Sequence, residues 1–165
     1  MVVRCTKRML DLLGGRSVNL SEPPPTDDDW YLNLLWIERQ KCLLLTHAGT
    51  LFSSSGQTFG ARISAQSATT WLRPSIPSSA LKSLPTDTFS ELEPESVRFA
   101  KTASRSTLGF MNEMAVELRY FIADAGGLDR CEIDALNHGL RRTLRNRGEY
   151  VRPIELVARR LTSRT

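Results

Sequence analysis

The chain has 165 residues and a mass of 18.5 kDa, and we expect one domain spanning residues 1–165. With 41% hydrophobic and 24% charged residues it is typical of a globular protein, which excludes disordered and collagen-like classes. No window reaches the roughly 18 to 20 unbroken apolar residues of a membrane-spanning helix. Residues 1–16 carry charges inside their apolar run and lack a small-residue cleavage site, so we expect a cytoplasmic location without a membrane partner.

The cysteines and the basic residues each limit the classes of protein to which this chain can belong. Cys5, Cys42 and Cys131 are an odd number at unrelated spacings, which predicts reduced thiols rather than disulfides or a zinc site. The net charge of +4 comes from the C-terminal end, because residues 139–165 hold eight arginines against two glutamates. Arginines in this number favour a phosphate-bearing partner such as nucleic acid, and a solvated helical face is the alternative.

The first elements are predicted to be a strand and a helix. The β-prone run from Val2 to Cys5 predicts a strand, and Thr6 is a plausible N-cap for a helix through Leu13. Residues 14–28 are rich in proline and aspartate and predict a loop. The triplet at 27–29 is interpreted as a solvated turn and strand cap, with a hard-cation site as the alternative.

Two apolar runs then predict a hairpin. Residues 30–37 and 42–46 have strand length, with a polar connection of four residues between them. Residues 30–37 are apolar on both faces, which is typical of a central strand covered on both sides. His47 is expected in the following loop, and residues 50–52 are expected to form a further short strand.

The second half of the chain is predicted to be mainly helical. Residues 97–102 read as a strand, and Ser104 or Ser106 caps a long amphipathic helix that runs to about residue 123. A second helix is expected after residue 133, broken near residues 137–139. Pro153 begins a last helix through about residue 161, followed by a frayed basic tail over 162–165.

Several blocks resemble a bacterial domain family that is itself uncharacterised. The blocks are RCTK at residues 4–7, DWY at 29–31 with LWIERQKCLLLTH at 35–47, KTASRSTLGFMNE at 101–113 and RPIE at 152–155. They agree in order and spacing over about two thirds of the chain. The resemblance implies a shared fold and no activity.

Residues 53–83 depart from the pattern of that family. Residues 53–86 contain nine serines, and no acidic residue occurs from residue 39 to residue 86. With GC-rich codon choices, a shifted reading frame gives acidic residues and helix-like periodicity here, so a frameshift is one hypothesis for this segment. A genuine serine-rich insertion is the alternative, and both predict an irregular segment over 53–86.

One junction suggests chemistry. Phosphate-loop, dinucleotide, zincin and hydrolase motifs are missing from the sequence, so we predict no cofactor, metal or catalytic residue. Where the predicted strand ends and the long helix begins, backbone amides, hydroxyls and two cations can converge on an anion such as phosphate. A capped helix with two exposed charges, which needs no ligand, is the alternative. The predicted anion or nucleic acid ligands are Lys101, Ser104, Arg105, Arg141, Arg142 and Arg145. Further pocket candidates are His47, Asn112 and Glu113.

These observations predict an α+β fold in which a small, mainly antiparallel sheet packs against a long central helix and C-terminal helices. The leading hypothesis is a non-catalytic binding module for a phosphate-bearing partner, nucleic acid being the concrete version. One alternative is a small enzyme acting on a phosphorylated substrate, with Glu113 or a histidine moving the proton. Another is a defective gene product without function.

Overall fold

The computed structural model describes residues 1–14, 20, 22–57 and 97–163. Its centre is a five-stranded sheet of strand order β4-β3-β2-β1-β5. The strands are β1 (Val2–Cys5), β2 (Trp30–Ile37), β3 (Gln40–His47), β4 (Ser53–Gln57) and β5 (Arg98–Lys101). The described helices are α1 (Lys7–Leu13), α2 (Arg105–Asp124), α3 (Ile133–Arg142) and α4 (Pro153–Thr162).

The α+β class is confirmed, whereas the mainly antiparallel sheet is corrected to a mixed one. β2 pairs antiparallel with β3, and β3 pairs antiparallel with β4. β1 pairs parallel with both β2 and β5. Parallel pairs need crossover connections, and α1 with the loop that follows it supplies the one from β1 to β2.

The central strand is covered on both faces, as its apolar pattern predicts. Trp30, Leu32 and Leu34 belong to the core that also contains Met9 of α1 and Val157 of α4. The other face of β2 contributes to a second core under α2 and α3. That core includes Tyr31, Leu35, Met111, Met114, Leu118, Leu136 and Leu140.

The connection between β2 and β3 is tighter than predicted. It consists of Glu38 and Arg39 rather than four residues, and both have positive φ values, 49° and 64°. Two-residue hairpin turns of this kind match the right-handed twist of the strands. The Glu38 carboxylate accepts a hydrogen bond from the Leu128 amide at 2.9 Å, at the start of a 3₁₀ turn (Leu128–Arg130).

The strand predicted at 50–52 begins three residues later. Residues 48–51 form a turn in which Leu51 has a φ of 54°, and β4 starts at Ser53. The irregular segment predicted from residue 53 is therefore corrected for its first five residues, and the remainder, 58–86, lies outside the described residues. Ser53, Ser54 and Ser55 are all buried.

The outer edge of β4 is satisfied by side chains of α3. The Asn137 amide accepts a hydrogen bond from the Ser55 backbone N–H at 2.6 Å and donates one to the Ser55 carbonyl at 3.1 Å. Arg141 donates to the Ser53 carbonyl at 3.1 Å. α3 thereby covers part of the β4 edge, with hydrogen bonds to the backbone of Ser53 and Ser55.

The C-terminal half follows the predicted order of helices with two differences. α2 begins after the N-cap Ser104, whose hydroxyl accepts from the Thr107 amide, and α3 runs unbroken through residues 137–139. A short hairpin of β6 (Arg145–Asn146) and β7 (Tyr150–Val151) precedes α4 and was not predicted. Of the predicted tail, Thr162 ends α4, and residues 164–165 lie outside the described residues.

Candidate functional site

Three consecutive aspartates hold residues 22–29, which we call the aspartate loop, against the rest of the fold. The pairs are Asp27 with Arg147 at 3.6 Å, Asp28 with Arg160, and Asp29 with Arg4 at 2.5 Å. Each arginine comes from a different element: β1, the β6–β7 hairpin or α4. An arginine lies opposite each carboxylate, and Asp29 is buried, so the predicted solvated turn is corrected at this residue. Among the described residues, no three or more metal-ligating side chains form a cluster.

Arg4 is the centre of this arrangement. Its side chain is 3% exposed, and its Nη1 and Nη2 donate to the carbonyls of Lys101 at 3.2 Å and Pro23 at 2.8 Å. The Asp29 carboxylate also accepts from the Thr26 amide at 3.0 Å and from the Thr26 hydroxyl at 2.9 Å. Arg4 thus fixes the aspartate loop beside the end of β5, where the predicted anion site begins.

A cavity of about 410 Å³, which we call the α2 cavity, lies between the aspartate loop and the start of α2. Its polar lining includes Tyr31, Ser104, Ser106, Thr107, Asp27 and Arg147. The volume lies within the range of small-molecule sites in proteins.

The N-terminus of α2 is fixed at the wall of this cavity. The Tyr31 hydroxyl accepts a hydrogen bond from the Ser104 amide at 3.1 Å, and the Ser104 hydroxyl accepts from the Thr107 amide at 3.1 Å. By helix geometry the amides of Arg105 and Ser106 have no acceptor within the helix. The positive end of a 20-residue helix therefore borders the cavity.

Arg147 supplies a guanidinium to the same cavity. It donates to the Gly49 carbonyl at 2.6 Å, and its pair with Asp27 is long and exposed. A glycine is needed at position 49, where the backbone approaches Asp27, because a Cβ there would lie 2.7 Å from the Asp27 carbonyl oxygen. Pairs this exposed contribute little to stability, about 0–1 kcal/mol, so another anion can replace the Asp27 carboxylate at low cost.

Of the predicted anion ligands, Ser104 lines the α2 cavity, whereas Lys101 and Arg105 do not. Lys101 is exposed and pairs with Glu22 at 3.0 Å. Arg105 is exposed at the first position of α2.

Arg141 and Arg145 are corrected as surface ligands, because both are buried. Arg145 is 2% exposed and makes a bidentate pair with Glu117 at 2.5 and 2.6 Å. Arg141 lies over the Phe52 ring at 4.4 Å, and burial lowers the pKa of its guanidinium to about 10, so it stays charged at neutral pH. Neither side chain is available to a nucleic acid backbone.

The remaining C-terminal arginines are largely neutralised by acids. Arg152 pairs with Glu155 and Arg159 with Glu149, in addition to the two arginines of the aspartate loop. Arg142, a predicted anion ligand, is exposed, contacts His138 at 2.9 Å and does not line the α2 cavity. Among the arginines that the structure describes after residue 138, it alone is exposed without a carboxylate partner.

The three pocket candidates are not brought together within the described residues. Asn112 and Glu113 are exposed along α2 and line neither of the two cavities that we describe. His47, predicted to lie in a loop, is instead the last residue of β3; it is 2% exposed and lines a second cavity of about 330 Å³ beside the aspartate loop. The enzyme alternative needs Glu113 or a histidine beside the phosphate. The described residues do not bring these groups together, so this alternative stays a hypothesis.

Tyr31, Arg147 and the Arg4–Asp29 pair are the site residues that sequence reasoning missed. The apolar run at 30–37 predicts a buried strand, and nothing in that pattern gives the Tyr31 hydroxyl a role. The available sequence signal was an acidic triplet in a chain with many arginines. Sequence spacing does not indicate which arginine pairs with which aspartate.

The described helices include no segment that is both long and apolar enough to span a membrane. Comparison with curated proteins found no match to the chain. A family described as a domain of unknown function, DUF6933, matches residues 2–156. This match covers most of the chain and confirms the resemblance to an uncharacterised family. The chain therefore belongs to the DUF6933 family of domains of unknown function.

Proposed function

We propose that this protein is a non-catalytic, cytoplasmic binding module that takes a small phosphate-bearing ligand in the α2 cavity. The observation that carries the proposal is the juxtaposition of the α2 N-terminus with Arg147 across one cavity. Amide donors and a guanidinium are the two groups that proteins most often present to a phosphate.

The donors differ in kind, and this favours phosphate over a simple carboxylate. The amides of Arg105 and Ser106 and the Ser106 hydroxyl supply donors from the helix, and Arg147 supplies a planar pair from the opposite wall. A tetrahedral anion has enough oxygens to accept from both walls, and a planar carboxylate has two. The helix dipole adds attraction for negative charge at the same point.

The α2 cavity also favours a small ligand over nucleic acid. Arg141 and Arg145 are buried, and most of the other C-terminal arginines are paired with acids. A nucleic acid surface requires several cations free to replace counterions. A single phosphate requires the helix start and Arg147, with Arg105 raising the local positive potential.

Isothermal titration calorimetry with inorganic phosphate and phenyl phosphate at low ionic strength tests the proposal. We expect saturable binding that weakens by about tenfold or more in Arg147→Gln, since a hydrogen bond to a charged group contributes about 1.5–3 kcal/mol. Arg142→Gln makes the same chemical change on an exposed arginine outside the cavity, and its affinity should equal that of the wild type.

Two results would overturn the proposal. One is heat that does not saturate, or that an equal ionic strength of chloride reproduces. The other is the same loss of affinity in Arg142→Gln as in Arg147→Gln, which would indicate general attraction to positive charge. Ser106→Glu, which places a carboxylate at the cavity wall, should abolish binding while leaving the fold intact.

A further inference from the structure

The second cavity, of about 330 Å³, lies beside the aspartate loop, and we call it the Trp30 cavity. Trp30 and His47 are each 2% exposed and line it, with their ring centroids 5.0 Å apart in an edge-on arrangement. Pro23 and Pro24 of the aspartate loop form part of the wall. A flat apolar group of a ligand would therefore contact mainly the proline rings, beside the buried indole.

His47 is held at the wall of this cavity by hydrogen bonds with Thr50. The Thr50 backbone N–H donates to His47 Nδ1 at 3.3 Å, and the Thr50 hydroxyl lies 3.0 Å from the same atom. A backbone amide can only donate, so Nδ1 carries no proton and the neutral ring has its N–H at Nε2. The ring is therefore held in one tautomer, with Nε2 as its donor nitrogen.

The charges around the Trp30 cavity favour an anionic ligand. Two acids and two arginines line it, but Asp28 and Asp29 are neutralised by Arg160 and Arg4. Arg98, exposed at the rim on β5, makes no ion pair within the residues that the structure describes. The net positive charge is thus concentrated at Arg98, where a ligand carboxylate would lie.

We propose that the Trp30 cavity binds a small aromatic carboxylate, with its ring against Pro23 and Pro24 beside Trp30 and its carboxylate at Arg98. The cavity volume is near the lower end for small-molecule sites and suits a single substituted ring. This site is separate from the phosphate site proposed above, because Arg98 and Arg147 line different cavities.

The test is a titration of the full chain with 4-fluorobenzoate, following the indole N–H resonance of Trp30 by NMR. Trp30→Phe, Trp36→Phe and Trp71→Phe assign the three indole signals. We expect a saturable shift of the Trp30 signal and no shift of Trp36, which is 51% exposed at the far end of β2. The uncharged 4-fluorobenzamide should bind at least about tenfold more weakly, as should 4-fluorobenzoate to Arg98→Gln.

Arg142→Gln is the matched control and should bind 4-fluorobenzoate as the wild type does. No saturable shift of the Trp30 indole up to about 10 mM ligand would overturn the proposal. Equal binding of the benzamide would also overturn it, because the carboxylate would then have no role. Arg147→Gln should leave the Trp30 titration unchanged, so the two proposed sites fail or succeed independently.

Discussion

Asp29→Asn is the substitution that most sharply tests how the aspartate loop is held. It preserves side-chain volume but removes the charge that compensates Arg4, whose side chain is 3% exposed. It also places an amide where the Arg4 Nε and the Thr26 amide donate to the carboxylate at 2.5 and 3.0 Å. Removing one member of a buried pair typically costs about 3–5 kcal/mol. Domains of this kind unfold with about 5–15 kcal/mol in total, so the loss is a large share.

The assay is urea denaturation followed by far-UV circular dichroism, with the thermal midpoint as a second readout. For a chain of this length each kcal/mol corresponds to about 2–4 °C, which predicts a decrease of roughly 6–20 °C. The control is Asp11→Asn, which breaks the exposed Lys7–Asp11 pair and should cost less than about 0.5 kcal/mol. A loss below about 1 kcal/mol for Asp29→Asn would refute the claim that this pair holds the loop.

Three further predictions concern other parts of the molecule. Asn137→Ala leaves the buried Ser55 amide and carbonyl unpaired. We therefore expect the free energy of unfolding in urea to fall by about 1–3 kcal/mol for each group, and association measured by light scattering to increase. An unchanged urea midpoint would contradict the role of Asn137 in covering the edge of β4. Burial raises the pKa of the Cys5 thiol from 9.0 to about 12, so its contribution to stability is complete below pH 9.0 and is lost between pH 9.0 and about 12. In the native protein at pH 8, iodoacetamide should leave Cys5 unlabelled by mass spectrometry, and labelling at the rate of the unfolded chain would contradict this burial. A fresh nucleotide read across codons 50–90 tests the frameshift hypothesis, which predicts paired insertions or deletions flanking the serine-rich segment; an intact frame would favour a genuine insertion.

Local patterns were sufficient to predict most elements. Ser104 as the N-cap of α2 and β2 as a central strand follow from side-chain hydrogen bonding and from apolar faces, both of which act over a few residues. The start of β4 was missed because Leu51 adopts a positive φ, which a leucine rarely does and which no sequence rule anticipates.

The candidate site depends on pairings between distant residues, and these were not predictable. Arg4 lies 25 residues from Asp29 in the sequence. Arg147 contacts the aspartate loop and also donates a hydrogen bond to the distant Gly49 carbonyl. The basic C-terminal composition therefore suggested a surface for nucleic acid, whereas most of those arginines bind acids of the same chain. Composition counts charges and does not show which of them are already compensated.

The most direct test of the phosphate site is a ¹H–¹⁵N NMR titration of the full chain with inorganic phosphate. Our account predicts saturable shifts in the amides of Arg105, Ser106 and Thr107, at the start of α2, and in the guanidinium signal of Arg147. Shifts that never saturate, or that appear at Arg142 and other exposed arginines while the start of α2 is unchanged, would contradict it.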